Sequence, residues 1–326
     1  MIVPVLRLPH VAFENVYDYF EIPDVIMLSQ CSKRMKTIVK SIEKRQGKCL
    51  EVLVSKRNLI VRVTNSEKEC LFDWRVCLEN RQNLNEENVI NRNIEGQKWK
   101  TAQGHDNTSW IVVPRAGSLN EDLLTIVQFF QDVFQCSIDK IHFRLFNELS
   151  FDKLLRGSTL LHTARGIFIE RTNFSPAEID FMFDNFNAEL LKFGGHSNGL
   201  YSYQKPVLRF PKIQIDFAQW ITAAYFMEMA ETCKKIRLCN ASQITDQALN
   251  MFIKAWLAGT NKTLESVEIH RKSVFERDAI LNDVEHTVLK IEAPKARIEV
   301  EIERTDGKLA RVIVGPFFFV LCPVPE

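Results

Sequence analysis

The stretch that decides how this chain is organised is LRLPHVAFENVYDYFEIPDVIMLSQCSKRMKTIVKSI, residues 6–42. Pro23 and Asp24 favour a helix start, because proline fits the first helical turn and a carboxylate suits the positive end of the helix dipole. Apolar residues then recur every three or four positions and predict one helix to Ile42 with a single apolar face: Val25, Leu28, Cys31 or Ser32, Met35, Ile38, Val39 and Ile42. A shorter amphipathic helix with Val16 and Tyr17 on its apolar side is predicted before it.

Two interpretations of these helices follow from their size. About forty residues bury too little surface to be very stable alone, so the helices are expected to pack on the rest of the chain or on another protein. The apolar stripe is therefore either the core of an N-terminal helical cap or a docking surface. Periodicity alone leaves both interpretations open.

The order of residues in this stretch resembles an F-box. The matching positions, which follow the family pattern without a gap, are Leu8-Pro9, Val16-Tyr17, Phe20, Glu21, Asp24-Val25-Ile26, Leu28-Ser29, Cys31 and Ser32-Lys33-Arg34. With the leading Leu6-Arg7 the segment is most similar to the F-boxes of nematode proteins.

The resemblance implies that the N-terminal helices bind the Skp adaptor of a cullin-RING ubiquitin ligase. Under it, the residues expected to face the adaptor or to brace that face are Leu8, Pro9, Val16, Tyr17, Val25, Leu28, Cys31, Ser32 and Met35. Internal packing is the alternative for each residue, and we expect about half of them to be direct contacts.

Composition limits the classes of partner. The 326 residues are 46% hydrophobic and 25% charged, which is ordinary for a soluble globular protein of two domains. Lys and Arg number 42 against 41 Asp and Glu, so the near-zero net charge does not favour nucleic acid as a partner.

Neither export nor membrane insertion is expected. Residues 1–9 lack the features of a secretory signal, and Pro316 and Pro323 break the most apolar stretch, which is too short to span a bilayer. The predicted location is the cytoplasm or the nucleus. The eight cysteines are then expected to be reduced, and since their spacing does not match zinc sites, we expect no metal and no cofactor.

After the F-box the pattern changes to that of strands. Residues 49–54 and 59–63 alternate and are rich in branched side chains, so they predict two strands with a turn between them, and residues 70–74 suggest a third. Residues 79–109 are polar and predict a long exposed connection. A strand at residues 110–113 and a helix from about Asn120 follow.

The C-terminal half contains an internal repeat. A pattern of apolar-x-x-apolar-x-apolar occurs six times, and its middle residues are Ile141, Ile167, Leu191, Ile213, Ile236 and Val267. Spacing of this kind predicts leucine-rich-type repeats, in which strand-plus-return units stack to cover each other's apolar faces. A compact α/β domain of alternating strands and helices is the structural alternative.

A second resemblance lies at residues 246–269. Thr245 is a predicted N-cap, an apolar stripe follows, and Gly259 offers a left-handed stop. The segment resembles the type-2 F-box-associated domain of nematode proteins at Leu249-Asn250, Phe252, Lys254, Trp256, Gly259, Asn261, Leu264-Glu265 and Ile269. The order of the two domains implies that the C-terminal one recruits a substrate.

The C-terminal residues predict a β-hairpin. Residues 296–304 alternate apolar with charged side chains, as a strand with one solvated face should. Asp306-Gly307 is a strong turn signal, and residues 309–314 form the predicted return strand.

Enzyme motifs are missing from the sequence. No phosphate loop, Gly-x-Ser-x-Gly elbow or His-Glu-x-x-His helix occurs. A nucleophile and its base meet in space, so Cys136 with His142 or His162 remains a candidate pair for a cysteine-dependent hydrolase. We expect a non-catalytic subunit.

These observations predict an α/β protein, α+β overall, in three parts. They are an F-box at residues 1–46, a β-rich region at 47–113 with its polar loop at 79–109, and a leucine-rich-repeat-like F-box-associated domain at 114–326 that ends in the hairpin. The predicted function is a substrate receptor that binds a Skp-type adaptor, through it a cullin, and an unknown protein substrate, with neither nucleic acid nor membrane as a partner. The alternative is a repeat-type interaction scaffold outside any ligase.

Overall fold

The computed structural model describes residues 10–44, 46–55, 58–77, 89–94, 97–103, 109–113, 119–144, 164–170, 173–197, 210–292 and 297–324. The chain forms two compact units, Met1–Arg165 (unit 1) and Gly166–Glu326 (unit 2). Each unit combines helices with a mixed sheet, so the α/β class is confirmed. The predicted boundaries after residues 46 and 113 stay predictions.

Unit 1 begins with three helices, α1 (His10–Tyr17), α2 (Ile22–Cys31) and α3 (Lys33–Glu43). The prediction of one helix from Pro23 to Ile42 is therefore wrong. Ser32 interrupts it with an extended backbone, φ −166° and ψ 159°. Its hydroxyl accepts a hydrogen bond of 3.1 Å from the Met35 amide, which caps α3 and makes two helices the better local solution.

The sheet of unit 1 has seven strands. They are β1 (Cys49–Ser55), β2 (Asn58–Thr64), β3 (Cys70–Cys77), β4 (Val89–Ile94), β5 (Gln97–Gln103), β6 (Ser109–Val113) and, after helix α4 (Leu119–Phe134), β7 (Ile138–Arg144). Their order is β7-β1-β2-β3-β6-β5-β4. The β1/β7 and β3/β6 pairs are parallel, and the other pairs are antiparallel.

The polar segment predicted as a long exposed connection instead contains a hairpin. Strands β4 and β5 pair in antiparallel fashion, and Trp99 is fully buried with its ring centroid 6.2 Å from that of Trp74. One large aromatic side chain gives a strand an apolar anchor even when most of its neighbours are polar. Residues 79–88, 95–96 and 104–108 of the predicted connection lie outside the described residues.

Helix α4 supplies the core of unit 1. Its predicted buried face is confirmed, because all six of its members are buried: Leu123, Ile126, Val127, Phe130, Val133 and Phe134. The Phe130 ring meets Trp74 edge-on at 5.8 Å and stacks on Phe134 at 5.8 Å. Aromatic rings of α4 and β3 therefore pack together within a core that also contains many aliphatic side chains.

Unit 2 alternates short strands with helices and then ends in longer strands. In chain order the elements are β8 (Gly166–Ile169), β9 (Asn173–Phe174), α5 (Pro176–Asn185), β10 (Leu190–Phe193), β11 (His196–Ser197), β12 (Lys212–Ile215), α6 (Ala223–Thr232), β13 (Lys235–Leu238), α7 (Asp246–Leu257), β14 (Ser266–His270), α8 (Arg277–Ile280), β15 (Thr287–Glu292), β16 (Arg297–Glu303), β17 (Leu309–Val314) and β18 (Phe318–Pro323). The main sheet runs β15-β16-β17-β18-β14-β13-β12-β10-β8, and β9 pairs with β11.

Five parallel neighbours in this sheet carry the repeated pattern. The middle residues of five copies lie side by side in register and are buried: Ile167, Leu191, Ile213, Ile236 and Val267. Helices cover this side of the sheet, since Phe183 of α5 contacts Phe193 at 5.6 Å and Phe252 of α7 contacts Phe319 at 6.4 Å. The leucine-rich-repeat-like assignment itself stays a prediction.

The final strands pair as antiparallel neighbours. Strands β16 and β17 form the predicted hairpin, and Gly307 in its turn has φ +84°. Among the described residues, no helix combines the length and the apolar character needed to cross a membrane.

Candidate functional site

A buried polar cluster holds the N-terminal helices together. The Tyr17 hydroxyl donates a 2.6 Å hydrogen bond to Glu43 Oε1, and Lys48 Nζ lies 2.6 Å from Glu43 Oε2. Burial, reinforced by the charge of Glu43, raises the pKa of Tyr17 well above its ordinary range, so the phenol remains a hydrogen-bond donor. The Lys48 ammonium also lies 5.4 Å from the Phe134 ring centroid. The cluster therefore joins α1 to α3 and α3 to α4.

A second contact fixes α3 on α4. Lys36 Nζ lies 2.8 Å from Asp132 Oδ2, and Lys40 binds the other carboxylate oxygen. Burial alone would raise the pKa of Asp132, but the hydrogen bonds from the two lysines outweigh it and lower the pKa below its ordinary value. The orientation of α3 is thus set by charge as well as by packing.

The N-terminus of helix α2 is capped by side chains at its first turn. Glu21 and Asp24 form a reciprocal capping box, and Pro23 occupies the first turn. Beyond the cap, Val25 and Ile26 are buried at 1% and 0% exposure. One face of α2 therefore packs inside unit 1, which leaves the opposite face at the surface.

The predicted adaptor-binding residues fall into three groups. Tyr17, Val25 and Met35 are buried, so they pack inside unit 1, and a bracing role for them stays a prediction. Val16 is 42% exposed, Cys31 is exposed, and Leu28 and Ser32 are half-buried. Leu8 and Pro9 lie outside the described residues. Contact of any of them with an adaptor stays a prediction.

Sequence reasoning missed two exposed apolar residues beside this set. Tyr19 is 87% exposed after the end of α1, and Met27 is 42% exposed on α2, one turn before Cys31. We call Val16 with Tyr19 the α1 patch, and Met27, Leu28 and Cys31 the α2 patch. The predicted apolar stripe included Leu28 and Cys31 of the α2 patch together with buried residues. Met27 could have been found as an apolar residue on the polar side of the same helix.

In unit 2, the segment at residues 246–269 contains two asparagines that hydrogen-bond to neighbouring elements. Asn250 on α7 donates from Nδ2 to the carbonyl oxygens of Ile280 and Asn282 at 2.8 and 2.7 Å. Buried Asn261 donates to the Ala230 carbonyl and, at 3.0 Å, to that of Cys233. These amides satisfy backbone acceptors of neighbouring elements, which explains asparagine at both positions.

The structure also explains the tryptophan and the glycine of this segment. Trp256 is 1% exposed, and the guanidinium of Arg304 lies 5.1 Å from its ring. Arg304 itself is held by both carboxylate oxygens of Asp306 at 2.7 Å, which ties α7 to the turn of the hairpin. Gly259 ends the helix region with φ +87°, a conformation that glycine adopts without strain.

Two observations on the described residues concern metal binding and the candidate nucleophile Cys136. No group of three or more candidate metal ligands occurs among them. Burial, with repulsion from Cys49 and Glu43, raises the pKa of Cys136 to about 12, the opposite of what a thiolate nucleophile needs. His162, one of its candidate bases, lies outside the described residues.

Comparisons with known proteins support both recognised segments. An F-box domain model matches residues 5–46, and an F-box associated model matches residues 207–269. The E3 ubiquitin-protein ligase hecw-1 of Caenorhabditis elegans is 24% identical over 196 residues, which cover 51% of this chain and 15% of that protein. The chain thus spans only a small part of that relative's length, and no solved structure matches significantly.

Each matched segment coincides with one of the sites above. The first match contains both apolar patches and the residues that brace them, and the second contains Asn250, Trp256 and Asn261. The chain therefore carries an F-box domain followed by an F-box-associated domain, the combination that is typical of nematode F-box proteins.

Proposed function

We propose that this protein is the substrate receptor of a Skp/cullin/F-box type ubiquitin ligase. Its F-box would bind the Skp-type adaptor, and its C-terminal, leucine-rich-repeat-like domain would recruit a protein substrate. The observation that carries the proposal is the exposure of apolar side chains on α1 and α2 while the opposite side of the same helices is buried. Such residues are the usual anchors of protein–protein contacts.

The chemistry of the ligase would belong to other subunits. We propose that this chain contributes proximity and no catalytic group, and that it acts in the cytoplasm or the nucleus. The raised pKa of Cys136 supports the non-catalytic role, because a protonated, buried thiol is a poor nucleophile.

The test is capture of a purified Skp-type adaptor by the full chain carrying Met27→Glu and Leu28→Glu. Two carboxylates in the α2 patch cannot be buried against an apolar partner surface without a large desolvation cost. We expect at least a tenfold loss of affinity, measured by biolayer interferometry.

The matched control adds the same charge elsewhere in the F-box. Thr37→Glu and Ser41→Glu change two exposed positions of α3, and we expect less than a twofold effect. Circular dichroism verifies that both variants fold. Equal capture by the two double variants would contradict adaptor binding through the α2 patch, and failure of the unmodified chain to capture the adaptor would favour the scaffold alternative.

A further inference from the structure

The main sheet of unit 2 has one covered face and one open face. Along strands β10, β12, β13, β14, β17 and β18, alternate residues are buried, and most of the residues between them remain partly or fully exposed. In β13, for example, Ile236 and Leu238 are buried whereas Lys235 and Arg237 are 49% and 48% exposed. We call the second set of side chains the open face.

Strand register aligns the open face into rows that cross the sheet. One row contains direct neighbours on nine successive strands: Phe168, Lys192, Gln214, Arg237, Glu268, Val320, Ile313, Glu299 and Lys290. Directly opposed residues share a face, with Cβ atoms about 5 Å apart. The row is therefore a continuous strip of surface.

Positive charge collects at one end of this strip. Strands β8, β10, β12 and β13 contain no acidic residue and four basic ones, all on the open face: Lys192, Lys212, Lys235 and Arg237. Lys192 and Arg237 belong to the strip, and Lys212 and Lys235 oppose each other in the adjacent register row. We call these four the basic row. Among the described residues, neither Lys192 nor Lys212 has an ion-pair partner within 4 Å.

The other two cations, Lys235 and Arg237, have ion-pair partners on the β14 side of the basic row. Lys235 is 3.1 Å from Glu265, and Arg237 is 3.5 Å from Glu268. Hydrogen bonding from Lys235, with the added charges of Lys212 and Lys234, lowers the pKa of Glu265, which shows that this carboxylate sits in a positive field. Among the described residues, the four cations of the basic row have two ion-pair partners, Glu265 and Glu268.

Apolar side chains continue the strip beyond Glu268. Val320 and Ile313 are its next two members and are half-buried, and half-buried Phe318 lies opposite His270 on the same face. From β10 to β17 the strip crosses five strand spacings, about 24 Å, which about seven residues of extended chain would span.

We propose that the open face binds an extended protein segment of about seven residues, with acidic side chains over the basic row and apolar side chains over Val320, Ile313 and Phe318. The inference rests on the proposed receptor function and names its substrate class. Charge complementarity selects the acidic end, and the apolar end distinguishes a protein segment from a nucleic acid, whose backbone is charged throughout.

The test measures binding of a fluorescein-labelled nonapeptide, Glu-Glu-Glu-Ser-Gly-Ser-Val-Phe-Val, to the purified full chain by fluorescence anisotropy. The variant Lys192→Glu, Lys212→Glu, Lys235→Glu should weaken binding at least tenfold. The matched control Lys254→Glu, Lys272→Glu, Lys308→Glu, which changes charge away from the basic row, should change it less than twofold. Threonine at both Val320 and Ile313 should weaken it about threefold.

Several outcomes would overturn the inference. They are absence of binding to the unmodified chain, equal loss in the two lysine triples, or tighter binding of a ten-nucleotide oligouridylate than of the peptide. Adaptor capture separates this test from that of the proposed function. The triple in the basic row should capture the adaptor normally, and the Met27→Glu, Leu28→Glu variant should still bind the peptide.

Discussion

The F-box helices and the sheet of unit 2 each bury one side and leave the other at the surface, but the two exposed sides differ in kind. On α1 and α2 the exposed side includes the apolar residues Val16 and Met27, and exposed Tyr19 follows the end of α1. On β10, β12 and β13 it carries the basic row. The covered sides are alike, because both consist of aliphatic and aromatic residues in regular spacing.

In each unit the covered side stabilises the fold, whereas the exposed side is the one that can bind a partner. Apolar periodicity identifies the covered side in both cases, since burial is what stabilises the fold. The exposed side is free of that constraint, so its chemistry can be matched to a binding partner. An apolar patch favours a stable, salt-insensitive contact, whereas a charged row favours a faster and salt-sensitive one.

The largest expected effect follows from disrupting the buried polar cluster of the F-box helices. Glu43→Ala leaves Lys48 and the Tyr17 hydroxyl buried without their partner, which should lower the free energy of unfolding by about 3–5 kcal/mol. Amide hydrogen exchange in α1–α3 measures the loss. Glu67→Ala removes an exposed carboxylate from the same unit and should change exchange there by less than about 0.5 kcal/mol. Similar exchange in the two variants would show that the cluster does not hold the helices.

A change in salt concentration should affect binding at the two exposed surfaces to different extents. Raising NaCl from about 50 to about 500 mM shortens the Debye length severalfold, so peptide binding at the basic row should weaken about tenfold. Adaptor capture through the apolar patches should change less than twofold over the same range. Anisotropy and interferometry on one preparation measure both. A steeper salt dependence for the adaptor than for the peptide would reverse our assignment of the two surfaces.

The smallest effect concerns the charges that fix α3. The folded pKa of Asp132 is lowered, so its contacts with Lys36 and Lys40 stabilise the fold above the unfolded pKa and are lost as the pH falls through the folded pKa. Because these side chains are partly exposed, Asp132→Asn should cost only about 0.5 kcal/mol at pH 7. Urea unfolding should show this difference shrinking below about pH 4. A difference that grows on acidification would contradict the assignment.

Local signals allowed much of the fold to be predicted. The stripe of α4, the N-cap at Thr245 and the Asp-Gly turn of the hairpin all depend on contacts within a few residues, and the structure has each of them where it was predicted. The break at Ser32 was missed because the apolar period continues through it. The buried Trp99 was missed because its neighbours are polar and its packing partner, Trp74, is distant in sequence.

The candidate sites divide in the same way. The F-box was recognisable from consecutive letters, but only burial separated the bracing residues Tyr17, Val25 and Met35 from exposed Val16 and Cys31. Tyr19 and Met27 were not in the predicted set, because they lie outside the apolar period on which the helices were predicted.

By itself the sequence determined the two domain signatures, the amphipathic helices and the repeated strand pattern, since each of them depends on residues that are close together along the chain. Only the tertiary structure decided which apolar side chains stay outside and that Lys192, Lys212, Lys235 and Arg237 lie together on one face of the sheet. These four cations are spread over 46 positions of a chain with almost no net charge, and parallel register alone places them next to one another.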